Sequence, residues 1–300
     1  MKTGISSIIT ERKLPVFEGI SAVANAGFDA IDFSICDYSW PGNANQEESF
    51  LNDSWKEFAY KLKSEFEKNN LIVYQSHGTW GQTTDLSEFI SPASILYRQL
   101  EIAKILGNSY IVFHPVLPCK RVESLQERAQ YIQYNCRWFS LLAESAAKYD
   151  MGIAVENVFS VNGNEPIEGL YPFGDAESLL QIVDKVGYDK MGICLDTGHA
   201  NLEVGNSIVP MIHLCGDKIK VLHINDNMGR QSLMENADLH MIPVGQGMNM
   251  ESICQALKEN GFDGVFSLEI VDRTMTTEAM MVQLNIAYTR ANYFTRFFDK

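Results

Sequence analysis

The residues Met191-Gly192-Ile193-Cys194-Leu195-Asp196-Thr197-Gly198-His199 join an apolar run of strand length to a polar, ionisable end. A short apolar run bounded by turn-formers reads as a strand buried on both faces, as in a parallel sheet covered by helices. A carboxylate inside such a sheet would be costly without a partner. Asp196 therefore belongs at the C-terminal end of the strand, where the connecting loop opens.

Runs of the same kind lie on both sides: Thr3–Ile9, Asp29–Ile35, Leu71–His77, Ser109–His114, Gly152–Asn157, Ile219–Asn225 and Val265–Ile270. Between them the spacing predicts amphipathic helices over Leu14–Ala26, Glu48–Asn69, Ser94–Leu106, Leu125–Tyr149, Ala176–Val186, Met250–Asn260 and Thr277–Phe298. Gly27, Gly107 and Gly261 punctuate several helix ends. Strand and helix alternate throughout, so the fold class is α/β with a parallel sheet. An open doubly wound sheet is the alternative, but eight units in 300 residues fit a closed (β/α)8 barrel better. No GxGxxG follows the first strand, which leaves a dinucleotide site without support. No linker divides the chain, and residues 1–300 are read as one domain.

In such a barrel the chemistry collects at the C-terminal ends of the strands. Six consecutive strands place an ionisable residue there: His77, His114, Glu156, Asp196 with His199 just beyond, His223 and Glu269. Several carboxylates on one rim need compensating charge, and a divalent cation supplies it directly. Carboxylate and imidazole ligands without thiolate suit Mn, Zn, Co or Mg. The loop after the seventh strand adds Asp238-Leu239-His240, then Val244-Gly245-Gln246-Gly247. In an extended segment Asp238 and His240 face the same side, as substrate contacts or additional metal ligands. His213 sits in a helical stretch and reads as structural.

Bulk properties narrow the partners. The net charge is −14, with 38 acidic against 24 basic residues. A nucleic-acid binder gains affinity by neutralising phosphates with Lys and Arg, so nucleic acid is disfavoured. The six cysteines are scattered with no CxxC pair, which fits reduced, mostly buried thiols. Neither a secretion signal nor a membrane-spanning run is visible, and the expected location is cytoplasmic.

With these motifs the chain resembles the xylose isomerase-like barrel superfamily. That group holds sugar isomerases, ketose 3-epimerases, inosose dehydratases and zinc-dependent apurinic endonucleases. The resemblance rests on Glu156-Asn157, Asp196-Thr197-Gly198-His199, His223-Ile224-Asn225-Asp226, Asp238-x-His240-x-x-x-Val244-Gly245-x-Gly247 and Glu269, and covers nearly the full length. It implies that Glu156, Asp196, His223 and Glu269 hold one divalent metal, with Glu156 and Glu269 as the acid/base pair. It implies further that His199 contacts substrate and that Arg230, the nearest match, holds a hydroxyl. Trp80, and more weakly Trp40, would offer a stacking wall for a sugar; the alternative for Trp80 is core packing beneath its loop.

The endonuclease branch binds three zinc ions, and each of its ligands has a counterpart here: His77, His114, Glu156, Asp196, His199, His223, Asp238, His240 and Glu269. Ligand count therefore does not separate the branches, but the acidic charge favours a small sugar or polyol substrate. The expected chemistry is isomerisation or epimerisation, or a related inosose dehydratase-type elimination, by proton transfer through a metal-stabilised enediolate. The alternative is a multinuclear zinc phosphodiesterase. No phosphate clamp is visible, and homo-oligomerisation is common among such relatives.

Overall fold

The computed structural model describes the chain apart from residues 12, 40–47, 80–81, 84–85, 160–169, 204–206, 230–237, 273 and 300, with backbone alone at 82–83. Eight strands build one parallel sheet: β1 (Thr3–Ser6), β2 (Ala30–Ser34), β3 (Ile72–His77), β4 (Tyr110–Phe113), β5 (Gly152–Glu156), β6 (Met191–Asp196), β7 (Ile219–His223) and β8 (Phe266–Leu268). Each lies beside its neighbours in the chain, and β8 returns to β1 with Thr3 opposite Phe266. One bridge between Ile224 and Leu268 closes the ring. There Ile224 N donates to Ser267 O at 2.9 Å and Glu269 N to Ile224 O at 3.0 Å. The (β/α)8 barrel anticipated from the alternating pattern is the observed architecture.

The helices around it are α1 (Val16–Ala26), α2 (Trp55–Lys68), α3 (Ser94–Leu106), α4 (Leu125–Ala147), α5 (Ala176–Val186), α6 (Thr197–Leu202), α7 (Ile208–Cys215), α8 (Met250–Glu259) and α9 (Thr277–Thr295). Polar caps start several of them. Ser124 accepts from Glu127 N at 3.1 Å, and Asp175 accepts from Ser178 N at 2.9 Å. Gly27 and Gly107 end α1 and α3 in the left-handed conformation, which glycine adopts without a Cβ clash.

Period-two alternation along the strands sorts side chains between two cores. Ile111, Phe113, Ile153, Val155, Ile193 and Leu195 face outward into the main core under the helices. Val112, Ala154, Cys194 and Val221 form a separate small cluster, with Tyr74 and Tyr110 packed against it. One step further along β5, β6 and β7 the same inner face carries Glu156, Asp196 and His223. The barrel is thus plugged with small apolar groups, and the polar layer sits directly above them.

Boundaries differ from expectation where local chemistry intervenes. β1 stops at Ser6, three residues before the expected end at Ile9, because a 3-10 turn over Ser7–Ile9 takes over. Serine hydroxyls compete with the strand ladder there: Ser6 Oγ accepts from Ile8 N at 3.5 Å, and Ser7 Oγ donates to Glu11 at 2.7 Å. α2 starts at Trp55 rather than Glu48, since Phe50 is fully buried and its N–H donates to Tyr38 O at 2.8 Å. Two-residue strands, Gln82–Thr83 and Leu117–Pro118, pair in the loops after β3 and β4 and had no clear sequence signal. Among the described residues no helix is long and apolar enough to cross a membrane.

Phe139 on α4 is fully buried, with its ring edge-on to Trp138 at 5.2 Å. Phe139→Ala leaves a cavity remote from the rim and should lower unfolding stability by about 3–5 kcal/mol in urea titration. A loss below about 1 kcal/mol would show that this layer repacks freely.

Candidate metal centre

Strand register brings the proposed ligands together. Asp196 and His223 are direct partners across β6 and β7, and Glu156 lies opposite Cys194 across β5 and β6. Glu269 follows β8, one residue past the bridge that closes the barrel. A single ligand atom from each of Glu156, Asp196, His223 and Glu269 can be chosen so that all lie within 4.8 Å of one another. Glu156, Asp196 and His223 are fully buried and Glu269 is 6% exposed.

Neighbouring amides fix the carboxylates. Asp196 caps α6: its Oδ1 accepts from His199 N at 2.7 Å, and its Oδ2 accepts from Asn225 Nδ2 at 2.9 Å. Asn157 acts as an extra rung between β5 and β6, accepting from Asp196 N at 2.7 Å and donating to Asp196 O at 2.9 Å. Asp226 turns away from the rim and accepts from Gly245, Gln246 and Gly247 N–H at 3.1–3.3 Å, which pins the glycine-rich turn. At Gly247 a Cβ would overlap the Asn227 carbonyl, so the turn can approach only without a side chain.

Three of the histidines share one arrangement. His77 Nδ1 donates to Gly78 O at 2.7 Å, His199 Nδ1 to Asn157 O at 2.9 Å, and His240 Nδ1 to Glu269 O at 3.2 Å. A carbonyl can only accept, so each of these Nδ1 atoms carries a proton. The opposite nitrogens then face carboxylates. His77 Nε2 and His114 Nε2 lie 3.2 and 3.1 Å from Glu156 Oε2 and 3.2 Å from each other. His199 Nε2 and His240 Nε2 flank Asp238 at 3.7 and 3.0 Å. His223 Nδ1 faces Glu156 at 2.9 Å and Glu269 at 3.6 Å. Ring nitrogens held by one N–H while the other meets carboxylate oxygens are the usual setting of metal-ligating histidine.

Electrostatics agree with this donor set. Burial opposes charge on Glu156, but His223 and His114 hold its carboxyl well below the usual carboxylate range. Glu269 is pushed up by burial and by Glu156 and Asp196, against the pull of His223 and His240. Burial also opposes protonation of His223 and His199, yet Cys194, Glu269 and Glu156 beside His223, and Asp196 and Asp238 beside His199, raise both well above the ordinary histidine value. His240 rises to about 9 against the effect of burial, through Asp238 and Glu269. His114 goes the other way, lowered by burial and by its His77 and His199 neighbours. Glu156 Oε2 is buried without an aligned hydrogen-bond donor. Without a metal, protons on the imidazoles must supply the positive charge that these carboxylates require; a divalent cation fits the same place.

Further nitrogen and oxygen donors stand around this core. Asp196, His199 and His240 form a second group with metal-binding spacing, and His77, Glu156 and His223 a third. Glu156 and Glu269 line a cavity of about 900 Å³ whose walls also include Asp238, His240 and Asp272. Asp238 and His240 meet as expected, but not through an extended backbone. His240 takes φ +41°, and in that turn its C=O accepts from Val271 N at 3.2 Å while Nδ1 reaches Glu269 O. Arg230, Trp80 and Trp40 lie outside the described residues. His213 is on α7, half exposed and away from the rim; its Nδ1 accepts from Asn260 Nδ2 at 2.8 Å.

β2 adds a group that does not stand at a strand end. Asp32 is 1% exposed and its Oδ2 lies 2.9 Å from His223 Nε2. Ser34, Cys36 and Asp37 from the same strand and its loop line the cavity wall. The available signal was an acidic residue inside the apolar strand Ala30-Ile31-Asp32-Phe33-Ser34, in step with small Ala30 and Ser34.

This chain belongs to the xylose isomerase-like TIM barrel family, whose model matches residues 20–291. It is 32% identical to an uncharacterized protein of Methanocaldococcus jannaschii, over 95% of this chain and 90% of that one. It is 27% identical to an inosose isomerase of Bacillus velezensis, over 67% of this chain and 65% of the relative. Among solved structures it resembles a D-psicose 3-epimerase in the presence of D-fructose (TM-score 0.70, 17% identity, 99% of both chains). It also resembles the IOLI protein with a bound zinc atom (TM-score 0.69, 17% identity, 100% of both chains). At these identities the two structures speak for the fold.

Metal loading should release protons. At pH 7 the metal-free His240, raised to about 9, carries a proton, and His223 likewise stands above its ordinary value. The stabilisation from His240 is whole below its unfolded value of about 6.5 and is lost as pH rises through about 9. Melting temperature of the chelated protein should therefore fall across that window, while apparent affinity for Zn²⁺ or Mn²⁺ rises. Calorimetry in buffers of different ionisation enthalpy measures the protons released; proton-neutral loading would contradict this account.

Proposed function

We propose that this protein is a metal-dependent isomerase or epimerase of a small sugar or polyol. The observation that carries the reading is the buried Glu156–Asp196–His223–Glu269 cluster, of which the two glutamates line an open cavity. The family match and the inosose isomerase relative support the same class. Glu156, Asp196, His223 and Glu269 would hold a divalent ion: Mn, Zn, Co or Mg. When bound, the ion would supply electrophilic charge for the substrate's carbonyl and neighbouring hydroxyl oxygens.

The chain's own groups would move the proton. One of Glu156 and Glu269 takes it from the carbon beside the carbonyl, and the other returns it. Return to the opposite face is epimerisation; return to the adjacent carbon is isomerisation. Which glutamate is the base depends on how the substrate lies in the cavity. Asp238, His199 and His240 stand at the cavity wall, where they would hold hydroxyls and exclude water from the carbanion-like centre. The small apolar plug of Val112, Ala154, Cys194 and Val221 packs below, so substrate would enter from the loop side.

A second reading has one observation in its favour: His77, His114, His199, Asp238 and His240 surround the core with two further groups of donor atoms. A multinuclear phosphodiesterase would use them to activate water. Metal content after native purification separates the readings: a single equivalent per chain supports the isomerase, three the hydrolase.

Inososes and ketoses should exchange a carbon-bound proton with D₂O in the presence of the metal-loaded protein, followed by NMR. Glu156→Gln and Glu269→Gln should each reduce this exchange by at least about 100-fold with the fold retained by circular dichroism. Full exchange in both single variants would exclude the two glutamates from the chemistry.

A further inference from the structure

We infer that Asp32 is the positioning residue of the metal centre, holding His223 as the Nε2–H tautomer so that Nδ1 is presented to the metal. The inference rests on the metal-dependent reading given above. Asp32 is on β2, which contributes no ligand to the proposed set, and it reaches across the barrel to β7.

Asp32 Oδ2 lies 2.9 Å from His223 Nε2 and accepts a second hydrogen bond, from Gln75 Nε2, at 2.8 Å. Gln75 Nε2 also donates to Leu222 O at 3.0 Å, the carbonyl just before His223. Gln75 is the register partner of Asp32 across β2 and β3. Three strands are therefore tied together at one carboxylate oxygen, which is held by a Gln75 amide that is itself anchored on Leu222 O. Asp32 is 1% exposed and His223 is fully buried, so bulk solvent is kept from the ring.

Proton placement follows from what faces each ring nitrogen. On the Nδ1 side stand Glu156 Oε1 at 2.9 Å and Glu269 Oε2 at 3.6 Å, both from proposed ligands. On the Nε2 side stands Asp32, whose oxygen is already fixed as an acceptor by Gln75. An Nε2–H completes the Asp32 pair and leaves the Nδ1 lone pair directed at the ligand cluster. An Nδ1–H would set two lone pairs against each other at Nε2 and place a proton where the cation belongs. The stacked His77 ring, 5.5 Å away and tilted by 11°, restricts rotation of His223 out of this plane. A carboxylate that orients a metal-bound imidazole from its far nitrogen raises its basicity and typically changes metal affinity 10–100-fold.

The test combines metal affinity with direct observation of the tautomer. Affinity for Zn²⁺ and Co²⁺ is measured by competition with a chromophoric chelator for wild type, Asp32→Asn and His223→Ala. Asp32→Asn should weaken binding about 10–100-fold and shift the Co²⁺ visible spectrum, while the chelated protein melts near the wild-type temperature. In the loaded wild type, two-bond ¹H–¹⁵N correlations should show His223 protonated at Nε2. An Nδ1-protonated His223, or an Asp32→Asn variant with wild-type affinity, overturns the inference. Should Asp32→Asn fail to fold, the wild-type tautomer decides alone. Wild type that binds neither metal, or His223→Ala that binds as wild type does, refutes the metal site itself. Loss of affinity in His223→Ala beside unchanged affinity in Asp32→Asn refutes only the role given to Asp32.

Discussion

Charge compensation inside the barrel mouth is the constraint on which the rest of this structure depends. Asp32, Glu156 and Asp196 are almost wholly removed from water, and Glu269 nearly so. Isolated ions in that setting would be destabilising by several kcal/mol each, on the order of the whole stability of a domain. The chain surrounds them with five imidazoles: His77, His114, His199, His223 and His240. Protons on these rings or a divalent cation between them can satisfy the carboxylates, and the two compete for the same lone pairs. Folding, protonation and the proposed metal binding would therefore be linked through one small volume.

The barrel makes this concentration of charge tolerable by dividing the labour of its strand faces. Outward residues such as Ile153, Val155, Ile193 and Leu195 join the large core under the helices, which carries most of the apolar burial. Inward residues below the rim are small, so the interior is sealed without demanding exact polar pairing there. Amides then do the fine positioning. Asn157 bridges β5 to β6, Asn225 holds Asp196, and Gln75 holds Asp32. Neutral side chains with fixed donors and acceptors set the directions of the charged ones, so ligand geometry does not rely on ion pairs alone.

Much of this was legible in the chain. The apolar runs gave the strands because β-structure buried on both faces leaves an unbroken hydrophobic signature, and each polar residue at the end of a run marked the rim. The boundaries slipped where a local hydroxyl or a distant contact redirected the backbone, as at Ser6 and Phe50. Asp32 escaped because it lies inside its run rather than at the end. Its role appears only once β2 is folded beside β3 and across from β7, 191 residues away from His223 in the chain. His240 illustrates the same limit. Period-two reasoning placed it beside Asp238, yet the left-handed turn that aims its Nδ1 at Glu269 O is imposed by contacts with the β8 loop.

By itself, then, the sequence determined the alternating architecture and the identity of the donor atoms, since hydrophobic period and residue chemistry are local properties. Tertiary structure decided which donors come together, what faces each imidazole nitrogen, and that Asp32 reaches His223. Those facts depend on strand register and on through-space partners, and a chain of letters does not contain distances. Glu156, Asp196, His223 and Glu269 are accordingly a pattern of residue types in the chain, and they acquire their geometry from the closing of the barrel between β7 and β8.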